Sequence, residues 1–143
     1  MTNADSALAA RREAVVREHM ESENRHDFDA TLATFAHPRY ELMATGQVFD
    51  GPEAVMGYFR SSRRAFPDQR NELVSLRQAD DAVIVELDLL GTHTGSMADE
   101  SPTGRSFRAR MCALFLFEPG GEGIVCERVY FDQGSILRQV GLA

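Results

Sequence analysis

The stretch Phe107-Arg108-Ala109-Arg110-Met111-Cys112-Ala113-Leu114-Phe115-Leu116-Phe117, the turn Gly120-Gly121, and the return Ile124-Val125-Cys126-Glu127-Arg128-Val129-Tyr130-Phe131-Asp132 together decide the fold. Strict alternation puts Phe107, Ala109, Met111, Ala113, Phe115 and Phe117 on one face of a strand and Arg108 and Arg110 on the other. A Gly-Gly pair is a strong two-residue hairpin signal. It sets Phe117 opposite Ile124 and Met111 opposite Tyr130. On this register Arg128, Tyr130 and Asp132 share the apolar face, and Glu127, Val129 and Phe131 take the other. One slipped residue at a β-bulge reverses every one of these assignments.

Working outward, Val83 to His93 alternates in the same way, with Val85, Leu87 and Leu89 facing inward and Glu86 and Asp88 outward. The outward acids lie near Arg108 and Arg110, as cross-strand ion pairs or a dimer surface. Arg70 to Ala79 precedes this strand and ends at the turn Asp80-Asp81. Before it come three helices. The first spans about Ser6 to Arg25, the second follows an Asp27 cap, and the third starts at Pro52 and stops at Pro67. Two short strands, Tyr40 to Thr45 and Gln47 to Asp50, separate the last two helices. Ser135 to Val140 forms a helical tail ended by Gly141. Helices first and an antiparallel meander afterwards mean an α+β fold, with residues 1–143 as one domain.

Composition narrows the function. The formal charge is −7, which argues against nucleic acid and anionic membrane as partners. The adjacent pairs Arg11-Arg12 and Arg63-Arg64 read as solvated helix faces. The first ten residues have no apolar run, so the expected compartment is the cytoplasm. Cys112 and Cys126 read as two reduced thiols on opposite faces. No His or acidic pair has HxxxH or HxxE spacing, and no glycine-rich phosphate loop or GxSxG is present, so no metal or cofactor is expected. His19 and His26 read as helix-surface residues.

An inward carboxylate and imidazole among Leu, Met and Phe need a reason, because burial without partners is costly and shifts the pKa. Asp132 is therefore a candidate general acid or base, or alternatively the cap of the tail helix. His93 is a second catalytic candidate, or a turn residue bonded within its loop. Tyr130, Arg128, Tyr40, Tyr58 and Met111 are candidate substrate contacts.

Gly91-Thr92-His93-Thr94-Gly95 and Pro102-Thr103-Gly104-Arg105 resemble the paired GTHTG and PTGR signatures of the SnoaL-like polyketide cyclase and ester cyclase group, within the nuclear-transport-factor-2-like superfamily. Phe49 to Val55, Ala65 to Asp68 and Leu137 to Gly141 agree with it in order. The resemblance implies a cone-shaped, strongly curved antiparallel sheet covered by N-terminal helices, a cystatin-like roll that dimerises through the sheet. It also implies cofactor-free aldol or isomerase chemistry on a ketone bound in an apolar pocket, with Asp132 as acid/base and the ligand small and apolar or aromatic. The rival function is a non-catalytic ligand-binding or accessory domain on the same scaffold.

Overall fold

The computed structural model describes residues 2–143. Its elements are α1 (Asn3–Asn24), α2 (Phe28–Ala33), β1 (Arg39–Leu42), β2 (Gln47–Asp50), α3 (Pro52–Ala65), β3 (Arg70–Gln78), β4 (Ala82–Thr92), β5 (Ser106–Phe117), β6 (Ile124–Tyr130) and α4 (Gln133–Gln139). Local chemistry explains most of the boundaries. Thr2 and Asp5 form a capping box at α1, the Asp27 side chain accepts from Ala30 N, and Pro52 opens α3.

The strands form one six-stranded sheet in the order β2-β1-β6-β5-β4-β3. This corrects the expected cone. The sheet is mixed, because β1 runs parallel to β6, and it is neither closed nor strongly curled. The parallel pairing arises because β1 arrives from α2 beside β6, which lies more than eighty residues later in the chain; no turn signal can announce such a neighbour. Helices α1 and α3 cover the inner face, where Val83, Val85, Leu87, Met111, Ala113 and Phe115 build the core with Val16, Val55 and Phe59. The β4–β5 register matches the alternation, pairing Asp88 with Arg110 and Leu87 with Met111. On the outer face Asp88 accepts from Arg108 at 2.9 Å and from Arg110 at 2.7 Å.

The β5–β6 register does not match. Phe117 pairs with Ile124 as the hairpin predicts, but Leu116 pairs with Cys126 and Cys112 with Tyr130. Val125 is the extra residue of a β-bulge. The turn itself centres on Pro119-Gly120, closed by Gly121 N to Glu118 O, with Gly120 at φ 69°. The cause of the bulge lies outside the hairpin. The backbone of Ile124 is committed to the α2–β1 connection, donating to Thr34 O and accepting from Ala36 N and His37 N. Gly123 lies so close to Ala36 that a Cβ there would come within 2.7 Å of it. From Cys126 onward β6 is therefore turned over, with Glu127 and Val129 inward and Arg128 and Tyr130 outward.

Other expectations change with it. Both cysteines now lie on the outer face, four residues apart along β5, about 13 Å at strand rise, and are free. Neither basic pair is wholly solvated. Arg12 is buried and donates to the carbonyls of Gly121, Asp80 and Glu118, lying 4.7 Å over the Phe117 ring. It ties α1 to the two hairpin turns.

Deleting Val125 removes the extra residue yet keeps Cys126 opposite Leu116 and Glu127 opposite Phe115, so Glu127 should stay inward. The expected outcome is retained cooperative unfolding and native near-ultraviolet circular dichroism. A deletion variant that loses both would contradict this assignment of the bulge.

Candidate functional site

Flipping β6 delivers Glu127 to a polar network inside the core. His19 and Glu23, one helical turn apart on α1, reach it from above, Tyr40 from β1, and Arg63 from α3. The ring of His19 is fully buried and lies edge-on to Phe35 and Phe115. Its hydrogen bonds fix its protonation. Thr34 Oγ1 donates to Thr31 O at 2.6 Å, so it accepts from His19 Nδ1 at 2.9 Å. Tyr40 donates to Glu23 Oε1 at 2.6 Å, so its oxygen accepts from His19 Nε2 at 2.8 Å. Both nitrogens therefore carry hydrogen, and His19 is an imidazolium. Burial opposes that charge, but the carboxylates of Glu127 and Glu23 outweigh it and raise the His19 pKa to about 9.

The two carboxylates are held differently. Burial raises Glu23, but His19, Arg63 and Tyr40 together overcome this and hold it well below the ordinary carboxylate range. Burial dominates at Glu127 and raises it, and its Oε2 has no hydrogen-bond partner among the described residues. Arg63 approaches Glu23 at 3.4 Å and lies over the rings of Phe28 and Phe59. His19, Glu23 and Glu127 bring three donor atoms within 4.8 Å of one another, the one such group among the described residues, and are the residues that could hold a metal ion. The His19 and Arg63 cations already face the two carboxylates, so the charge balances without one.

A separate cavity of about 660 Å³ opens beside the network. Leu42, Phe49, Leu89, Phe107, Met111 and Phe131 form its apolar body, and α3, α4 and residues 96–98 form its rim. Tyr58 connects the two regions. Its ring contacts Tyr40 at 5.3 Å and Phe49 at 4.8 Å, and it lines the cavity. Its hydroxyl has no hydrogen-bond partner among the described residues. Burial raises its pKa, so it is a neutral phenol able to donate.

The predicted residues divide accordingly. Tyr58 and Met111 line the cavity, whereas Tyr40 sits behind it in the network. Asp132 does not face inward: its side chain is 71% exposed and accepts from Ser135 N as the N-cap of α4. Tyr130 and Arg128 are also outward, Tyr130 44% exposed and Arg128 donating to Glu41 at 2.7 Å. All three are displaced by the Val125 bulge and the turn into α4 that follows. His93 is fully buried and forms a clasp. Its Nδ1 accepts from Thr103 N, and its backbone exchanges hydrogen bonds with Gly104 and Arg105. The GTHTG and PTGR motifs thus close the base of the loop that carries the cavity rim, and His93 reaches the cavity only through Phe66.

Sequence reasoning missed His19, Glu23 and Glu127. A signal existed for the first two: Arg12, Val16, His19, Met20 and Glu23 form one helical stripe, with a His-x-x-x-Glu spacing that a search for HxxxH or HxxE passes over.

The chain belongs to the SnoaL-like polyketide cyclase family, which matches residues 13–140. Among the curated proteins none matches. Solved structures share the fold. A SnoaL-like protein from Jannaschia sp. CCS1 is 16% identical with TM-score 0.83, covering 95% of each chain. AclR from Streptomyces galilaeus, a candidate hydroxylase, is 19% identical with TM-score 0.79, covering 94% of this chain and 87% of its own. IdmH from Streptomyces antibioticus, a candidate polyketide cyclase, is 23% identical with TM-score 0.77, covering 91% and 98%. Among the described residues no helix is long and apolar enough to cross a membrane.

Two outcomes follow. Asp132→Ala should lower stability by about 1 kcal/mol, as loss of a helix cap does, and leave ligand affinity within twofold by titration. The His19 pKa is raised from 6.5 to about 9, so its stabilisation is complete below 6.5 and lost as pH climbs through 9. The raised Glu127 acts in the same direction, from its lower range. Stability from urea unfolding should fall between pH 6.5 and 9.5 by on the order of 3 kcal/mol, and the slope should be smaller in His19→Gln.

Proposed function

We propose that this protein binds a small, largely apolar or aromatic ketone in the cavity and polarises its carbonyl with the Tyr58 hydroxyl, in the manner of a cofactor-free cyclase or isomerase. The observation that carries the reading is the unbonded phenol of Tyr58 at the cavity wall, kept neutral by burial. A phenol donor aimed at a bound carbonyl oxygen stabilises an enolate as charge develops there. The SnoaL-like family and the candidate cyclase function of IdmH point the same way. The proton acceptor in this reading is Glu127 in the network behind Tyr58, whose pKa burial raises and whose Oε2 has no hydrogen bond but faces His19 at 3.7 Å.

One observation favours the rival, a non-catalytic binding domain: no Asp, Glu or His lines the cavity. Exchange of the α-protons of 2-acetylnaphthalene in deuterated buffer separates the two. The catalytic reading expects accelerated exchange, roughly a hundredfold slower in Tyr58→Phe with binding kept within a few fold, slower also in Glu127→Gln, and unchanged in Asp132→Asn. Binding without any accelerated exchange would leave the non-catalytic domain. Met111→Trp, which crowds the apolar wall where the ligand's rings would lie, should block binding in either case.

The free thiols Cys112 and Cys126 support a cytoplasmic setting. A homodimer through the outer sheet face is supported by the half-buried apolar group of Ile84, Cys112, Leu114 and Leu116 with exposed Tyr130. Sedimentation should show a dimer that Leu114→Arg dissociates; a monomeric parent would end this part of the reading.

A further inference from the structure

The cavity carries a charge signature that ketone binding does not use. The chain has 22 acidic residues and a formal charge of −7, yet none of the acids lies on the cavity wall. The one charged residue among those lining the cavity is Arg64, in the last turn of α3. No carboxylate lies within ion-pairing distance of its guanidinium, and it makes no side-chain hydrogen bond among the described residues. Its neighbour Arg63 instead faces Glu23 in the core. A cation at a helix C-terminus has a favourable setting of its own, so Arg64 alone would say little.

A second residue makes the site. Gln69, in the turn after α3, is only 6% exposed and lines the same cavity. Its backbone is spoken for, with N donating to Phe66 O and the carbonyl accepting from His26 Nε2. Its side-chain amide has no hydrogen-bond partner among the described residues. The amide therefore opens onto the cavity, where its two donors are available to a ligand. Tyr58 adds a third free donor on the same wall. The positioning is deliberate in the backbone too. A Cβ at Gly95 would come within 1.6 Å of Arg64 O, and Gly95 N donates to Ala65 O at 3.1 Å, so the 94–104 loop packs directly on the end of α3 that presents Arg64.

A largely apolar chamber whose one charged lining residue is a cation, and whose wall carries an amide and a phenol with no hydrogen-bond partner among the described residues, selects an organic anion. We infer that the ligand of this cavity is an aromatic or polycyclic carboxylic acid, its ring system on Met111, Phe107 and Phe131 and its carboxylate held by Arg64 and Gln69. This rests on the cavity being the ligand site and narrows the ligand to a class; the ketone of the preceding section becomes a second functional group on the same molecule, at Tyr58.

Isothermal titration with 2-naphthoate and its neutral methyl ester tests the inference on the full chain. The acid is expected to bind at least tenfold more tightly than the ester, with an affinity that falls as salt rises. Arg64→Gln, at an exposed position, should weaken the acid about tenfold, remove the salt dependence and leave the ester unchanged. Gln69→Leu should weaken the acid several-fold, with its melting temperature checking that the turn still folds. Equal affinity for the two probes, or an acid affinity indifferent to Arg64→Gln, overturns the carboxylate. If the ester binds equally and Met111→Trp blocks it, the cavity remains the ligand site and only the carboxylate falls. If neither probe binds, both readings fall together.

Discussion

The backbone of Ile124 is held from two sides. Toward β5 it pairs with Phe117, and toward the α2–β1 connection it trades hydrogen bonds with Thr34, Ala36 and His37. The second commitment fixes where β6 can begin, and Val125 takes up the mismatch as a bulge. Side-chain direction in a strand has period two, so this single residue inverts the rest of β6. Glu127 becomes a core residue, Tyr130 and Arg128 become surface residues, and the chain enters α4 with Asp132 already in solvent as a cap. The buried network, the wall of the cavity and the outer sheet face all inherit their composition from this one tie.

A carboxylate turned into a core must be met there. His19 and Glu23 supply the partners because α1 crosses the inner face with that stripe downward, and Tyr40 reaches them because β1 lies parallel beside β6. The network resolves its charges by environment: Glu23 collects the imidazolium, a phenol and a guanidinium, while Glu127 receives little beyond the imidazolium and is dominated by desolvation. Tyr58 then separates this charged interior from an apolar chamber. Two carboxylates lie behind the Tyr40 and Tyr58 rings from a cavity whose one charged lining residue is a cation. The family motif around His93 contributes differently, as a clasp that sets the loop over that chamber.

Much of the architecture was legible before any coordinates. Alternation along β4 and β5 named the inward residues and set Glu86 and Asp88 near Arg108 and Arg110, because those strands pair without interruption. Caps and prolines placed α2, α3 and α4 because such signals act within a few residues of themselves. Candidates that line the cavity were legible only where they sat on these regular segments, as with Met111 on β5 and Tyr58 on α3. The residues lost were those whose direction depended on a distant contact. Asp132 was read inward through a hairpin whose bulge is imposed by a segment some ninety residues earlier, and His19 was read as surface because one helix face cannot reveal which neighbour covers it.

The sequence by itself determined the order of helices and strands, the apolar faces of β4 and β5 and the acidic surface, since these follow from local periodicity, local turn chemistry and composition, and its GTHTG and PTGR motifs marked the family. Only the tertiary structure decided that β1 joins the sheet in parallel, that β6 is turned over, and that Glu127 rather than Asp132 is the interior carboxylate. Those outcomes depend on backbone hydrogen bonds between segments far apart in the chain, and the pattern of a single strand carries no record of the partner that will bend it.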